Sequence, residues 1–150
     1  MDYTDYQILN FLQKDAKTTL KTIGNTVGLT APAVAERIRK MEDCGIIQNF
    51  SIRIDRTQVN CGISGFSLVA LNPEVYNKFC LFCKTEPAII SHYHLAGEFN
   101  AMIRFAVPDI KSLDILLQRI KQFGNSRTSI ELSTYFDYKD VMPFPDESNE

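Results

Sequence analysis

The chain has 150 residues, 45% of them hydrophobic and 23% charged, and its sixteen Lys/Arg against eighteen Asp/Glu leave a net charge of −2. These are the proportions of a soluble globular protein, one domain or two small ones. No apolar run approaches the ~20 residues of a membrane helix, and the opening MDYTDYQILN lacks the basic and apolar regions of a signal peptide. A cytoplasmic protein with no membrane partner is therefore expected, its four cysteines (Cys44, Cys61, Cys80, Cys83) reduced.

Charge is uneven along the chain. Residues 1–60 carry eight Lys/Arg against seven Asp/Glu, residues 61–136 seven against six, and residues 137–150 one against five. The acidic excess thus lies in the tail, and a near-neutral average leaves room for a local basic face that binds phosphate.

Three helical patterns fill residues 1–45. YTDYQILNFLQKD places Ile8, Leu9, Phe11 and Leu12 at helical spacing, with Asp2 or Thr4 as candidate N-cap. TLKTIGNTV aligns Leu20, Ile23 and Val27, and Gly28 follows where a left-handed cap stops a helix. Thr30 can then N-cap a third helix with Pro32 in its first turn, burying Val34, Ile38 and Met41 and ending at Gly45.

Two helices joined by a three-residue turn, with the small Gly24 at their crossing, describe a helix-turn-helix. A plain helical hairpin with a solvated face is the blander description. At 100° per residue, Pro32, Ala33, Glu36, Arg39 and Lys40 fall on the outward side of the third helix, the side this motif inserts into the major groove. Arg39 and Lys40 suit phosphates or guanine, and Pro32 and Ala33 suit base edges. Glu36 can hold Lys40 at i+4 or accept from a cytosine amine. Arg37 lies roughly 60° from the buried stripe and reads first as a structural residue paired with a helix carboxylate. The full set assigned to DNA is Thr30, Pro32, Ala33, Glu36, Arg37, Arg39 and Lys40.

The stretch TIGNTVGLTAPAVAERIRKMEDCG, with Gly-Leu-Thr, six residues to Arg37-Ile38 and the closing Met41-x-x-x-Gly45, resembles the helix-turn-helix signature of the Lrp/AsnC regulators of bacteria and archaea. GIIQNFSIRID, residues 45–55, continues the resemblance and is expected to form a strand.

Residues 57–65, TQVNCGISG, read as a linker. Beyond them come strand FSLVALN, helix PEVYNKFCLFCKTE, strands AIISHYHLAG and NAMIRFAV, helix DIKSLDILLQRIKQFG and strand RTSIELSTYFD. Asn72 is expected to cap the first of these helices, Gly97 to mark the hairpin and Gly124 to close the second helix. The order βαββαβ is ferredoxin-like, and it resembles the family's effector and oligomerisation domain. The fold class is thus α+β. A winged-helix-like helix-turn-helix domain with its following strand (1–56) precedes a ferredoxin-like domain (66–137) and an acidic tail (138–150) expected to be mobile. A sheet face left bare by the helices needs a cover, and FSLVAL with AMIRFAV supplies apolar strands for it, so a homodimer is expected. The resemblance extends this to an octamer.

HLAGEFN, 94–100, resembles the family's Gly-acidic-aromatic-Asp hairpin, where an amino acid binds between dimers. The resemblance assigns an effector to Gly97, Glu98, Phe99 and Asn100, with Ser129, Ile130 and Glu131 from the last strand. Asn100 stands where the family has Asp, and it can offer an ammonium group only neutral hydrogen bonds. A hairpin that merely packs in the oligomer is the alternative.

Cys80-x-x-Cys83 and His92-x-His94 could ligate zinc, but Val75, Tyr76, Phe79, Cys80, Phe82 and Cys83 form one apolar helical face on which cysteine is a small hydrophobe. No metal and no cofactor are expected. His92 and Asn100 also invite comparison with sirohaem decarboxylases of related fold, yet SHYHLAGEFNAMIRF lacks their Tyr-Leu-Arg and Asn-x-Trp-Phe patterns, and the chain has no tryptophan. The expectation is a non-enzymatic transcriptional regulator binding double-stranded DNA and answering to an amino acid or similar molecule. An effector-independent DNA-organising protein is a further alternative.

Overall fold

The computed structural model describes residues 1–141, and the chain divides into two compact units. One holds residues 1–53 together with, of the described residues, 136–141, and the other residues 54–135.

The first unit is three helices: α1 (Tyr3–Lys14), α2 (Leu20–Val27) and α3 (Ala31–Asp43). Each begins on a side chain that accepts a free amide. Asp2 accepts from the Asp5 amide, Thr19 from Thr22 and Thr30 from Ala33. At α1 the Asp5 carboxylate also reaches back to the Asp2 amide, at 2.9 Å, completing a capping box. Gly28 ends α2 in the left-handed conformation at φ 72°, which costs glycine nothing. Ile8, Ile23, Val34, Ile38 and Met41 interlock as a core, with Leu9, Phe11, Leu12, Val27, Leu29 and Ile47 around it. Each such side chain contributes about 1.5–3 kcal/mol on burial.

Residues 48–55 differ from expectation: they form no strand. Alternation alone does not make one, because a strand exists only when a neighbour takes its amides and carbonyls, and none of the described residues does. Phe50, Ile52 and Ile54 stay exposed. The described part of the tail makes contacts with the first unit. Val141 N–H donates to Gln13 Oε1 at 2.8 Å, Gln13 Nε2 donates to Val141 O at 3.2 Å, and Arg53 lies 4.8 Å over the Tyr138 ring. Its remainder, residues 142–150, lies outside the described residues.

The second unit opens with a 3-10 turn (Arg56–Val59). It continues as β1 (Ile63–Leu71), α4 (Pro73–Thr85), β2 (Ile89–His94), β3 (Ala101–Val107), α5 (Ile110–Lys121) and β4 (Gly124–Ile130). The strands form one antiparallel sheet ordered β2-β3-β1-β4, the ferredoxin-like topology. Val69, Leu71, Ile103, Phe105 and Val107 face α4 and α5, whose Phe79, Cys83, Leu113, Leu116 and Ile120 fill the other half of the core. Ser67, the one polar residue buried there among the described residues, is hydrogen-bonded to the Thr128 hydroxyl at 2.7 Å.

Several boundaries differ from those expected: β2 ends at His94 rather than Gly97, and the last strand, expected over 127–137, ends at Ile130. β1 begins three residues earlier, so the linker is shorter and Gly65 lies inside a strand, where a Cβ would sit 2.2 Å from Ser129 O. Gly124 does not close α5 but starts β4, pressed against β1 so closely that a Cβ would lie 2.1 Å from Ala70 O. Asn72 precedes α4 without capping it through its side chain.

Gly24 is the tightest point of the helix-turn-helix, a Cβ there falling 2.4 Å from Leu29 O. Gly24→Ala is expected to cost the first unit about 1–3 kcal/mol through overpacking, read by urea unfolding followed by far-UV circular dichroism. Wild-type stability would show that the α2–α3 turn yields freely.

Candidate nucleic-acid interface and effector positions

The three basic side chains of α3 have three different environments. Arg37 leaves the helix toward α1, and its Nη1 donates to Asp2 Oδ2 and Asp5 Oδ1, both at 2.7 Å. These are the two capping-box carboxylates. The Asp5 amide first, and then Arg37, hold the Asp2 carboxyl below its usual range, while Asp5 and Asp2 raise Arg37. Arg37 is therefore occupied within the fold, in the structural role its position suggested.

Arg39 is 63% exposed along its side chain, yet it is held in a fork by Glu36, Nε to Oε2 at 3.1 Å and Nη2 to Oε1 at 2.8 Å. Asp43 adds a second carboxylate 3.7 Å from Nη1. Arg39 holds the Glu36 carboxyl below its usual range. Glu36 thus takes Arg39 at i+3 rather than Lys40 at i+4, because the planar guanidinium matches a carboxylate in two places and an ammonium in one. Lys40 is exposed and, among the described residues, enters no ion pair. Pro32 and Thr30 are exposed and Ala33 is half-buried on the first turn, where Thr30 Oγ1 is engaged as the cap at 3.4 Å from Ala33 N.

The effector positions fall into two groups. In the first, Gly97 has φ 134°, open space where a Cβ would be, and an exposed Glu98 beside it. Phe99 stacks under Arg127, 4.9 Å from ring centroid to guanidinium carbon. Asn100 uses both ends of its amide on one residue: Oδ1 accepts from Leu71 N and Nδ2 donates to Leu71 O, each at 2.9 Å. It acts as a strand residue would, closing the end of β1. An aspartate could take the amide but would face the Leu71 carbonyl with no proton to offer.

In the second group, Ser129 and Ile130 are exposed on β4 opposite Phe66 and Gly65. The Glu131 carboxylate accepts from Thr134, from Ser64 Oγ at 3.1 Å and from Arg104 Nη2 at 3.3 Å, and these partners hold it below its usual range. Phe99 reaches β4 at Arg127, two residues from Ser129, whereas Asn100 and Glu131 lie far apart in one chain. Asn100 is tied to the Leu71 end of β1 and Glu131 to its Ser64 end, about 23 Å apart at 3.3 Å per residue.

Among the described residues no set of three His, Cys, Asp or Glu is arranged to hold a metal. Cys83 faces the core, where burial pushes its thiol up to about 12. His92 stands edge-on to Phe79 with centroids 5.4 Å apart, and His94 packs on Tyr76 at 4.9 Å. Residue order does not give the identity of the carboxylates that grip Arg37, Asp2 and Asp5, nor the Asn100–Leu71 pairing, nor the Gln13 contact to the tail. Of these, only the Asp-x-x-Asp spacing at the head of α1 carries a recognisable signal, that of a cap.

Residues 1–42 match the AsnC-type helix-turn-helix domain, and residues 64–141 match the Lrp/AsnC ligand binding domain. The HTH-type transcriptional regulator LrpB of Bacillus subtilis is 30% identical over 125 residues, 83% of this chain and 84% of that protein. The crystal structure of the leucine response regulatory protein LrpA of Mycobacterium tuberculosis superposes with a TM-score of 0.80 at 28% identity, covering 97% of this chain and all of that one. The transcriptional regulator NMB0573 of Neisseria meningitidis, crystallised as an L-Met complex, has the same fold, with a TM-score of 0.87 at 20% identity over 95% of this chain and 96% of that one.

The buried Nε2 of His92 has no hydrogen-bond partner among the described residues, and burial, with His94 nearby, pulls its pKa below the ordinary 6.5. The unfolded chain then binds more protons than the folded one just below pH 6.5, so stability falls as pH drops through that value and is unaffected above it. Denaturant unfolding at pH 7.5 and pH 5.5 is expected to show this loss, and His92→Phe to diminish it. An equal loss in the variant would assign the pH dependence elsewhere.

Proposed function

The chain belongs to the Lrp/AsnC family of transcriptional regulators, and from that premise we propose that α3 enters the major groove of double-stranded DNA by the face carrying Pro32, Ala33, Glu36, Arg39 and Lys40. The observation that carries this reading is the division of labour on α3. Arg37 is consumed by α1, which leaves Arg39 and Lys40 exposed on the side away from Val34, Ile38 and Met41. Thr30 caps the helix so that its first turn can approach the bases. One such helix covers little DNA, so two protomers read a two-fold site.

The second unit joins the protomers. Phe66, Leu68 and Ala70 of β1 alternate with core residues and, with Tyr93, Met102 and Ala106, occupy the sheet face that α4 and α5 leave bare. A second copy covers that face, and higher assembly to an octamer uses further surfaces. The separation of Asn100 from Glu131 along β1 supports a ligand site drawn from more than one copy, with Gly97, Glu98 and Phe99 from one and Ser129 and Ile130 from another. An amino acid is the ligand this site takes, as the Neisseria protein takes L-Met. Asn100 and Glu131 shape the site through the backbone, since their polar atoms are already engaged. The protein acts by binding rather than by catalysis, and works in the cytoplasm.

The test is the salt dependence of DNA affinity. In a dimer, Arg39→Ala with Lys40→Ala is expected to weaken binding and to make the log-affinity against log-salt slope shallower by up to about 3.6, at about 0.9 per lost phosphate contact. Sedimentation should find the oligomer unchanged. Unaltered affinity, slope and sequence preference would overturn the assignment of this face.

A further inference from the structure

Arg39 sits in a setting that a simple phosphate ligand does not need. Of its five N–H donors, Glu36 takes the Nε hydrogen and one on Nη2. Asp43 adds negative charge beside Nη1 without reaching hydrogen-bond distance. Three hydrogens remain, two on Nη1 and one on Nη2, and one from each nitrogen forms the outward end of the guanidinium, held in plane by the carboxylate fork and largely exposed. That end-on pair has the spacing of guanine O6 and N7 in the major groove.

The charges weigh in the same direction. Glu36, Arg39 and Asp43 together carry −1, and Lys40 returns the exposed face to neutrality. A phosphate drawn to Arg39 must compete with two carboxylates and sit beside Glu36, which repels it. A G·C pair imposes neither cost. Guanine accepts from the free end of Arg39, while the cytosine amine donates to a Glu36 lone pair that Arg39 leaves unused.

Building on the reading of α3 as the groove helix, we propose that Glu36 is a specificity determinant: by bracing Arg39 it turns that arginine from phosphate to guanine and selects a G·C pair at a fixed position in each half-site. Glu36 is a positioning residue for Arg39 and a direct acceptor for cytosine. The bare cation Lys40 supplies the phosphate contact.

Selection from a randomised DNA duplex by the full-length protein tests this and requires no defined operator. The wild type is expected to enrich one G·C pair per half-site. Glu36→Ala should lower the preference for that pair by about 5- to 150-fold, the span one bidentate contact carries. It should also bind unrelated duplex more tightly, with a log-salt slope steeper by about 0.9 per protomer as Arg39 turns to phosphate. Glu36→Gln, which keeps one acceptor for Arg39, should fall between the two. Far-UV circular dichroism should find the helices intact, as loss of an exposed i, i+3 pair allows. An unchanged G·C preference in Glu36→Ala, or an unchanged slope on unrelated duplex, overturns the proposal. A wild type that enriches no sequence overturns instead the assignment of α3 to the groove.

Discussion

The geometry of the DNA-binding unit depends on Arg37. One guanidinium nitrogen is shared by two carboxylates that are at the same time the capping box of α1, so the start of the first helix and the middle of the third are fixed by a single cluster. Each partner would be weaker alone: an exposed ion pair is screened by water and salt, and a cap orders only its own turn. Joined over the core of Ile8, Ile23, Val34, Ile38 and Met41, they set the rotation of α3 about its axis. That rotation decides which residues face outward, and hence that Arg39 and Lys40 are presented while Ile38 and Met41 are buried.

The same economy appears in the second unit, where polar side chains complete backbone ladders. Asn100 substitutes for a strand residue at one end of β1 and Glu131 ties β4, β3 and Ser64 together at the other. The sheet is thereby held at both ends, and the face that the helices leave bare carries Phe66, Leu68 and Met102 beside Arg104 and Arg127.

Features that depend on neighbours in sequence are legible without coordinates. Thr30, Pro32 and Gly28 announce the turn and the start of α3 because caps and left-handed glycines act within four residues. Gly24 falls at the crossing because its spacing to the buried stripe requires it. Features that depend on a distant partner are not legible. Residues 48–55 alternate as a strand but have nothing beside them in the described chain, and Gly124 has the spacing of a helix stop although Ala70, far away in sequence, decides its place. Asn100 reads as a ligand residue because its partner, Leu71, is a backbone 29 positions away. Helical spacing sets Arg37 apart from Arg39 and Lys40 but does not name its partners, because Asp2 and Asp5 lie more than thirty residues away, and the choice of Glu36 between Arg39 and Lys40 is one of geometry, which composition does not carry.

The two ion pairs of Arg37 assign it to the fold rather than to DNA, and one substitution tests this. Arg37→Gln separates the two directly when thermal stability and the salt slope of DNA affinity are measured on the same protein, the latter well below its melting temperature. The account predicts a lower melting temperature with the slope unchanged. A slope shallower by about 0.9 per protomer, at wild-type stability, would place Arg37 on a phosphate and contradict it.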